Sequence, residues 1–298
     1  MKEATFGIEI ELTGISRKAA AQAMAQHFGT NRYEHPGFPH DRWTVYMPDG
    51  RTWAIENDGS VTQPACELVS PVCGWDDIEM VQETVRAMRA AGLKADKSCG
   101  IHVHIGGDGH DAQSLRRLVN IVNAKEDLLT LALGNAPRRD SWCKPVDPTF
   151  LALLNAKKPG TLDEFAHIWY GTNDADNYGW HGLDACRSEH YNSSRYHLLN
   201  LHAFFSTERP AHTIEFRAFN GTTHAGKIKS YIQLCMAINW MALSTKSASA
   251  KRPETDNPRY TFRCWLLRLG FIGDEFETAR KWLLDNLAGD TAFRNGRP

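Results

Sequence analysis

Three short segments with strict alternation constrain the fold of this chain more than any other feature. In residues 6–12, 101–105 and 213–219, every second residue is apolar. A period of two predicts β-strands that bury one face in a core. The opposite face carries ionisable side chains in all three segments: Glu9, Glu11, His102, His104, Glu215 and Arg217.

These ionisable faces predict a site for divalent cations. Glu9 and Glu11 lie about 6.5–7 Å apart at Cα on a strand, so they repel each other unless a cation lies between them. Carboxylates and neutral imidazoles are ligands for such cations. A single pair of this kind is typical of a solvated strand face, but three together favour a site. Glu67 is a further candidate ligand from a neighbouring strand, and carboxylates can bridge two ions.

Arg217 adds a different chemistry to this face. A guanidinium grips phosphate oxygens in pairs, although Arg217 could instead form a structural ion pair with Glu215. Arg187 and Arg195 lie in a polar stretch just upstream and are candidates to bind the same phosphate as Arg217. Carboxylates, cations and arginines on one face predict phosphoryl transfer, in which a protein positions groups and offsets charge.

Charge and cysteine content exclude several classes of function. Lys and Arg number 34 against 35 Asp and Glu, and the net charge of −1 argues against bulk binding of nucleic acid. Seven cysteines without a CxxC pair argue against a zinc ribbon and a disulfide framework. The chain has no apolar leader and no long apolar run, so we expect a cytoplasmic protein that does not span a membrane. Neither a P-loop nor a Rossmann glycine motif is present.

The rest of the sequence predicts an α+β fold. Residues 52–58 and 65–70 are expected to pair as strands across a turn, and residues 196–204 to form another strand. Residues 32–50 and 138–159 are expected to be surface insertions. Periodicity and capping residues predict helices at 16–27, 76–91, 114–133, 161–170 and 227–243.

A polar linker marks the only domain boundary that the sequence suggests. Residues 247–258 are rich in Lys, Pro and Asn. We therefore expect a catalytic domain over residues 1–246. Residues 247–298 are expected to form a helical extension packed on the same domain.

The motifs in order resemble a known family. GIEIEL, ENDGSV, CELVSP, CGIHVHIG and TIEFRAFNGT lie in sequence between residues 7 and 222. The set is similar to the putative amidoligases of the carboxylate–amine ligase superfamily, which includes glutamine synthetase and glutamate–cysteine ligase. The resemblance implies an antiparallel sheet curved into a half-barrel, with helices on its outer face. Related ligases occur both as rings with shared sites and as monomers.

The resemblance also implies a reaction. ATP phosphorylates a carboxylate, and an amine then displaces the phosphate to leave an amide or peptide bond. The cofactors would be ATP and Mg²⁺, with Mn²⁺ as an alternative, and the partners would be small-molecule or peptide carboxylates and amines. Such an acyl phosphate must be kept from water. Residues 106–109 and 174–194 are candidate covers, or else ordinary surface loops.

Individual roles follow for the metal ligands. Glu9 and Glu11 resemble paired ligands, one for each of two magnesium sites. Glu67 resembles the next carboxylate ligand, His102 the histidine ligand, and Glu215 the last carboxylate of the site on the ATP side.

The other implied roles concern the substrates. His104 resembles the histidine near the nucleotide phosphates, and Arg217 the arginine that stabilises the transferred phosphoryl group. Asp58 holds the position of an aspartate beside the amine or substrate pocket. Arg217, Glu67 and Asp58 are thus the predicted catalytic residues, and Arg195 joins His104 and Arg217 as a predicted nucleotide ligand.

Two other functions use the same residues. The histidine and carboxylate strands could hold zinc or manganese for a metal-dependent hydrolase, although no HExxH motif is present. A non-catalytic binding protein that retains the ligase fold is the other alternative. A non-catalytic role gives no physical reason for so many repelling charges on one face of the sheet.

Overall fold

The core of the fold, over the residues that the structure describes, is one open antiparallel sheet of eight strands. A computed structural model describes residues 1–35, 37, 41–135, 141–208 and 212–294 of the chain. The strand order is β2-β3-β4-β5-β1-β6-β8-β7. In chain order the strands are β1 Phe6–Thr13, β2 Tyr33–Glu34, β3 Trp43–Tyr46, β4 Thr52–Glu56, β5 Ala65–Val69, β6 Gly100–Gly106, β7 Leu199–Asn200 and β8 Thr213–Asn220.

Ten α-helices accompany the sheet in the described part of the chain. Capping explains where several begin: the side chains of Ser16, Asp111 and Thr161 each accept a hydrogen bond from the backbone of the first turn. The helices are α1 Arg17–His27, α2 Ile78–Ala90, α3 Ala112–Leu133, α4 Pro148–Lys157, α5 Leu162–Asn173, α6 Ala175–Ser188, α7 His202–Phe205, α8 Ala225–Ser244, α9 Pro258–Arg268 and α10 Glu277–Leu284.

One hydrophobic core joins the sheet to these helices. The apolar side chains of β1 and β6, such as Ile10 and Val103, are fully buried in it. Helices α1, α3 and α8 contact the sheet directly. Phe262 and Leu283, from α9 and α10, belong to the same buried cluster. No helix among the described residues is long and apolar enough to cross a membrane.

The prediction of an α+β fold is confirmed, as is that of strands at the three alternating segments. The strand pair across the turn is also present, because β4 pairs with β5 in antiparallel register. These predictions succeed because each depends on alternation within a few consecutive residues.

Three segments differ from the sequence-based expectation. The supposed insertion 32–50 contains β2 and β3, and the supposed insertion 138–159 contains α4; residues 36, 38–40 and 138–140 lie outside the described residues. The strand predicted over 196–204 is wrong, since only Leu199–Asn200 pairs with β8. The backbone turns into α7 because the Asn200 side chain accepts a hydrogen bond from the His202 N–H at 2.8 Å.

Candidate active site

Strand pairing places the predicted ligands directly opposite one another. The central strands β5, β1, β6 and β8 are adjacent in the sheet. Side chains at facing positions of an antiparallel pair lie about 5 Å apart at Cβ. The facing pairs are Glu9 with His102, Glu11 with Glu67, and His104 with Glu215. The alternation seen in the sequence thus becomes one polar surface on the sheet.

A first ligand cluster consists of Glu9, His102 and Glu215. One potential ligand atom from each lies within 4.8 Å of the others. His102 Nδ1 is 3.1 Å from Glu9 Oε2 and 3.6 Å from Glu215 Oε1. His104 borders this cluster, with its Nε2 3.3 Å from Glu9 Oε1.

A second ligand cluster consists of Glu11, Glu67 and the same His102. Its three ligand atoms also lie within 4.8 Å of one another. His102 Nε2 is 3.5 Å from Glu11 Oε1. The Gly100 N–H donates to Glu11 Oε2 at 2.5 Å and fixes that carboxylate. His102 therefore faces one cluster with each ring nitrogen.

Two carboxylates of the first cluster are held in the charged form. Burial raises the pKa of Glu9, but the charge of His104 and the hydrogen bond to His102 outweigh it and hold the pKa well below the ordinary value. Burial also raises the pKa of Glu215, but the charges of Arg217 and the two histidines outweigh it and lower that pKa to about 2. Both groups are therefore ready to bind a cation at neutral pH.

Glu67 shows the opposite behaviour. Burial and the charges of Glu9 and Glu11 raise its pKa well above the ordinary value. For His104, burial lowers the pKa, but Glu9 and Glu215 outweigh it, so the pKa is raised overall. A cation between these carboxylates would relieve the repulsion that Glu67 experiences.

The donor set fits hard divalent cations. Four carboxylates and one imidazole supply oxygen-rich ligands of the kind that Mg²⁺ and Mn²⁺ prefer. His102 Nε2 and His104 Nε2 are buried and make no hydrogen bond within the described part of the chain. His102 Nε2 lies 3.5 Å from Glu11 Oε1 in the second cluster, so a cation shared by these two ligands would give this nitrogen a partner.

Arg217 lies at the edge of the first cluster and is almost fully buried. Its Nη1 donates to Glu215 Oε1 at 2.5 Å. Burial lowers the pKa of Arg217, but the charge of Glu215 outweighs it and raises the pKa. The structural ion pair considered from the sequence is therefore present. Arg217 also lines a cavity next to the site, so the ion pair does not exclude a role at a substrate.

Two cavities adjoin the polar surface of the sheet. The first has a volume of about 210 Å³ and is lined by Glu9, His104 and Glu215 from the first cluster. The second has a volume of about 500 Å³ and is lined by Glu11, Asp58 and Arg217. Each cluster therefore has its own adjoining space.

Arg195 lines both cavities. Its guanidinium lies near the rings of Tyr191 and Tyr196, 5.4 and 5.9 Å from their centroids. Its Nη1 donates to the His190 carbonyl at 3.1 Å, whereas its Nε is buried and makes no hydrogen bond to any described residue. Arg195 is thus a cation at the boundary between the two spaces.

The segment that carries Arg195 is held by a buried polar network. Asn192 is fully buried and donates to Asp174 Oδ2 at 2.6 Å and to Glu189 Oε2 at 2.9 Å. Arg187, the other arginine of this stretch, pairs with Asp163 at 2.8 Å and lines neither cavity. Of these two arginines, Arg195 lines the cavities and Arg187 does not.

A family model for a putative amidoligase enzyme matches residues 2–239. The chain belongs to this family. The match contains both ligand clusters, Arg195, Arg217 and all five motifs. A search of curated proteins gave no match to the chain.

Asp58 in this family member lies both in a turn and at a cavity wall. It closes a turn, because its Oδ1 accepts a hydrogen bond from the Ser60 N–H at 2.7 Å. It also lines the second cavity together with Glu11. The turn therefore places a carboxylate at the wall of that cavity.

Several residues of the site carry no signal in the sequence. Asn200 contacts Glu215, and Trp142, Tyr191 and Tyr196 form part of the wall of the second cavity. They lie in loops or at the end of a two-residue strand, where no periodicity marks them. Only the fold brings them next to the motif residues.

The two candidate covers differ in structure. Gly106 ends β6, and residues 107–109 begin the short connection to α3. Residues 174–194 contain α6, in which Cys186 is the one buried residue, and whose backbone is non-helical at Gly182 with a φ of 79°. Helix α6 is therefore packed lightly and leads directly into the segment that carries Arg195.

Proposed function

We propose that this protein is an ATP- and Mg²⁺-dependent ligase that joins a carboxylate to an amine through an acyl phosphate. The observation that carries the proposal is the pair of carboxylate clusters that share His102, with Arg217 and Arg195 beside them. Membership of the amidoligase family supports an amide-forming ligase at the level of reaction class.

The arrangement suits the meeting of two anions. A carboxylate must attack the γ-phosphoryl group of ATP, and charge on the phosphoryl oxygens opposes that approach. Bound Mg²⁺ would supply positive charge at the clusters. Arg217 and Arg195 supply fixed positive charge from the protein, and the burial of Arg217 strengthens its effect.

The two cavities suggest a division of substrates. We place the nucleotide phosphates in the first cavity, beside His104, Glu9 and Glu215. We place the carboxylate and the amine in the second cavity, where Arg217 can bind the carboxylate. Asp58 can bind the amine as a cation and take the proton that the amine must lose before it attacks. Arg195, which lines both cavities, would contact the phosphoryl group as it passes between them.

We propose that the fold is of the glutamine synthetase type, a half-barrel sheet with the site on its polar face. An open, antiparallel sheet with its ligands on the central strands supports this assignment. We also propose that residues 1–246 form the catalytic domain and residues 247–298 an extension packed on it. The substrates would be small molecules or peptides in the cytoplasm, and the free thiols of buried cysteines such as Cys66 and Cys99 support a reducing compartment.

The test is ADP release that requires both a carboxylate and an amine. Glu11→Ala and Arg217→Ala should abolish turnover and leave the protein folded, whereas Glu79→Ala, on the surface of α2, should not change it. Absence of ATP binding in the presence of Mg²⁺ by calorimetry would refute the proposal. Tightly bound zinc together with ATP-independent hydrolysis would favour the metal-dependent hydrolase instead.

A further inference from the structure

We infer that Asn200 is a positioning residue that orients the Glu215 carboxylate and sets the cation affinity of the first ligand cluster alone. The inference rests on the proposed function, since it assumes that both clusters bind divalent cations.

The pairing of β7 with β8 places Asn200 directly opposite Glu215. Asn200 is 2% exposed, and its Nδ2 donates to Glu215 Oε2 at 2.5 Å. Its Oδ1 accepts from the His202 N–H at 2.8 Å. Because the oxygen is used by the backbone, the amide orientation is fixed and the N–H groups must face Glu215.

The contacts of Glu215 are divided between its two oxygens. Oε2 accepts from Asn200, and Oε1 accepts from Arg217 at 2.5 Å. Oε1 is also the oxygen nearest to His102 Nδ1, at 3.6 Å. A carboxylate oxygen has two lone pairs, so these hydrogen bonds leave capacity for a cation. Without Asn200, the bond from Arg217 is the one hydrogen bond that the described residues still give the Glu215 carboxylate, which can then rotate away from the cluster.

The effect should be confined to one cluster. Asn200 lines the first cavity and not the second, and it makes no hydrogen bond to Glu11 or Glu67. Residues that hydrogen-bond to metal ligands typically change metal affinity by about 10- to 100-fold when removed. Loss of Asn200 should therefore weaken cation binding at the first cluster and not at the second, which general damage to the fold would not produce.

The experiment is a Mn²⁺ titration of the nucleotide-free full chain, followed by electron paramagnetic resonance. The wild type should bind two ions. Asn200→Ala should weaken one of them by about 10- to 100-fold and leave the other within twofold. Asn200→Leu, which keeps the branching at Cγ and lacks the amide, should behave in the same way if the alanine variant folds poorly.

Asn239→Ala is the matched control. Asn239 is 1% exposed and bonds to His110 Nε2 at 2.8 Å, so its loss also removes a buried amide. It should lower thermal stability without changing either Mn²⁺ affinity. Equal weakening of both sites by the Asn200 variants, or no weakening, would overturn the inference. If the wild type binds no Mn²⁺, the proposed function fails instead.

Discussion

At the scale of single residues, Glu67 has the least favourable surroundings in the site. It faces Glu11 across the sheet, and burial together with the neighbouring carboxylates raises its pKa. The pKa of Glu67 is thus higher in the folded state than in the unfolded state, where it is about 4.3. The stability that this difference provides is fully present below the unfolded-state pKa and is lost as the pH rises through the folded-state pKa. The ionised form of Glu67 therefore destabilises the metal-free protein.

Glu67→Gln should stabilise the metal-free protein, by about 1 kcal/mol at pH 8, because it removes a repelling charge opposite Glu11. The gain should disappear near pH 4.5, where the wild-type carboxyl is protonated. In contrast, the rise in melting temperature that Mn²⁺ gives the wild type should shrink, since a ligand has been lost. Thermal unfolding with and without chelator measures both effects, and a variant that is less stable at pH 8 would contradict the argument.

Arg195 allows nucleotide binding to be separated from metal binding. It lines both cavities but belongs to neither ligand cluster. Arg195→Ala should weaken binding of MgATP by about tenfold or more, because a charged group facing the phosphates is lost. Mn²⁺ binding without nucleotide should stay within twofold. Calorimetry on Arg195→Ala and on Arg187→Ala, whose side chain lies outside both cavities, makes the comparison, and equal losses would refute the assignment.

At the scale of elements, the connection after β8 depends on a glycine. A Cβ on Gly221 would lie 2.4 Å from the Cβ of Cys99 and 2.9 Å from its carbonyl carbon. The neighbouring Gly100 holds Glu11 through its N–H. Gly221→Ala should therefore cost about 1–3 kcal/mol of stability and also weaken Mn²⁺ binding at the second cluster.

Gly179→Ala is the control for this substitution. Gly179 lies in α6 with nothing within 4 Å of the added Cβ. Alanine is favoured over glycine inside a helix by up to about 1 kcal/mol, so stability should stay the same or rise. A Gly221→Ala variant as stable as the wild type would show that β6 and the loop after β8 can separate freely.

The elements also show how far the sequence predicts the site. Alternation in β1, β6 and β8 identifies their ionisable faces, because side-chain direction in a strand is a local property. Pairing is not local, so the sequence could not show that His102 faces both Glu9 and Glu11. Asn200 has no such signal because its strand has two residues, too few for a period. Strands β2 and β3 were missed because their short runs lie among Pro, His and Asp.

At the scale of the whole molecule, buried neutral histidines make stability depend on pH. Burial lowers the pKa of His202 to about 4, and it also lowers the pKa values of His110 and His197. The Tyr170 hydroxyl donates to His202 Nδ1 at 2.7 Å, and Nε2–H donates to the Glu189 carbonyl at 3.0 Å, which fixes the neutral form.

The stability that these histidines provide is fully present above their pKa in the unfolded state, about 6.5, and is lost as the pH falls through their pKa values in the folded state. Between pH 6.5 and 4, His202 alone should account for about 3 kcal/mol. Denaturant unfolding in the presence of chelator should therefore show decreasing stability over this range. His202→Gln should flatten the slope, and an unchanged slope would show that other groups determine it.

The C-terminal helices test whether the chain unfolds as one unit. Phe271 follows α9, is fully buried, and lies 4.9 Å from the ring of Phe276, whereas Ile272 next to it is 67% exposed. Phe271→Ala should cost about 3–5 kcal/mol, and Ile272→Ala should change stability by less than about 0.5 kcal/mol. Because residues from α9 and α10 share one core with the sheet, tryptophan fluorescence and far-UV circular dichroism should report the same shifted transition. A separate early transition, with the sheet unfolding as in the wild type, would show instead that the extension is an independent unit.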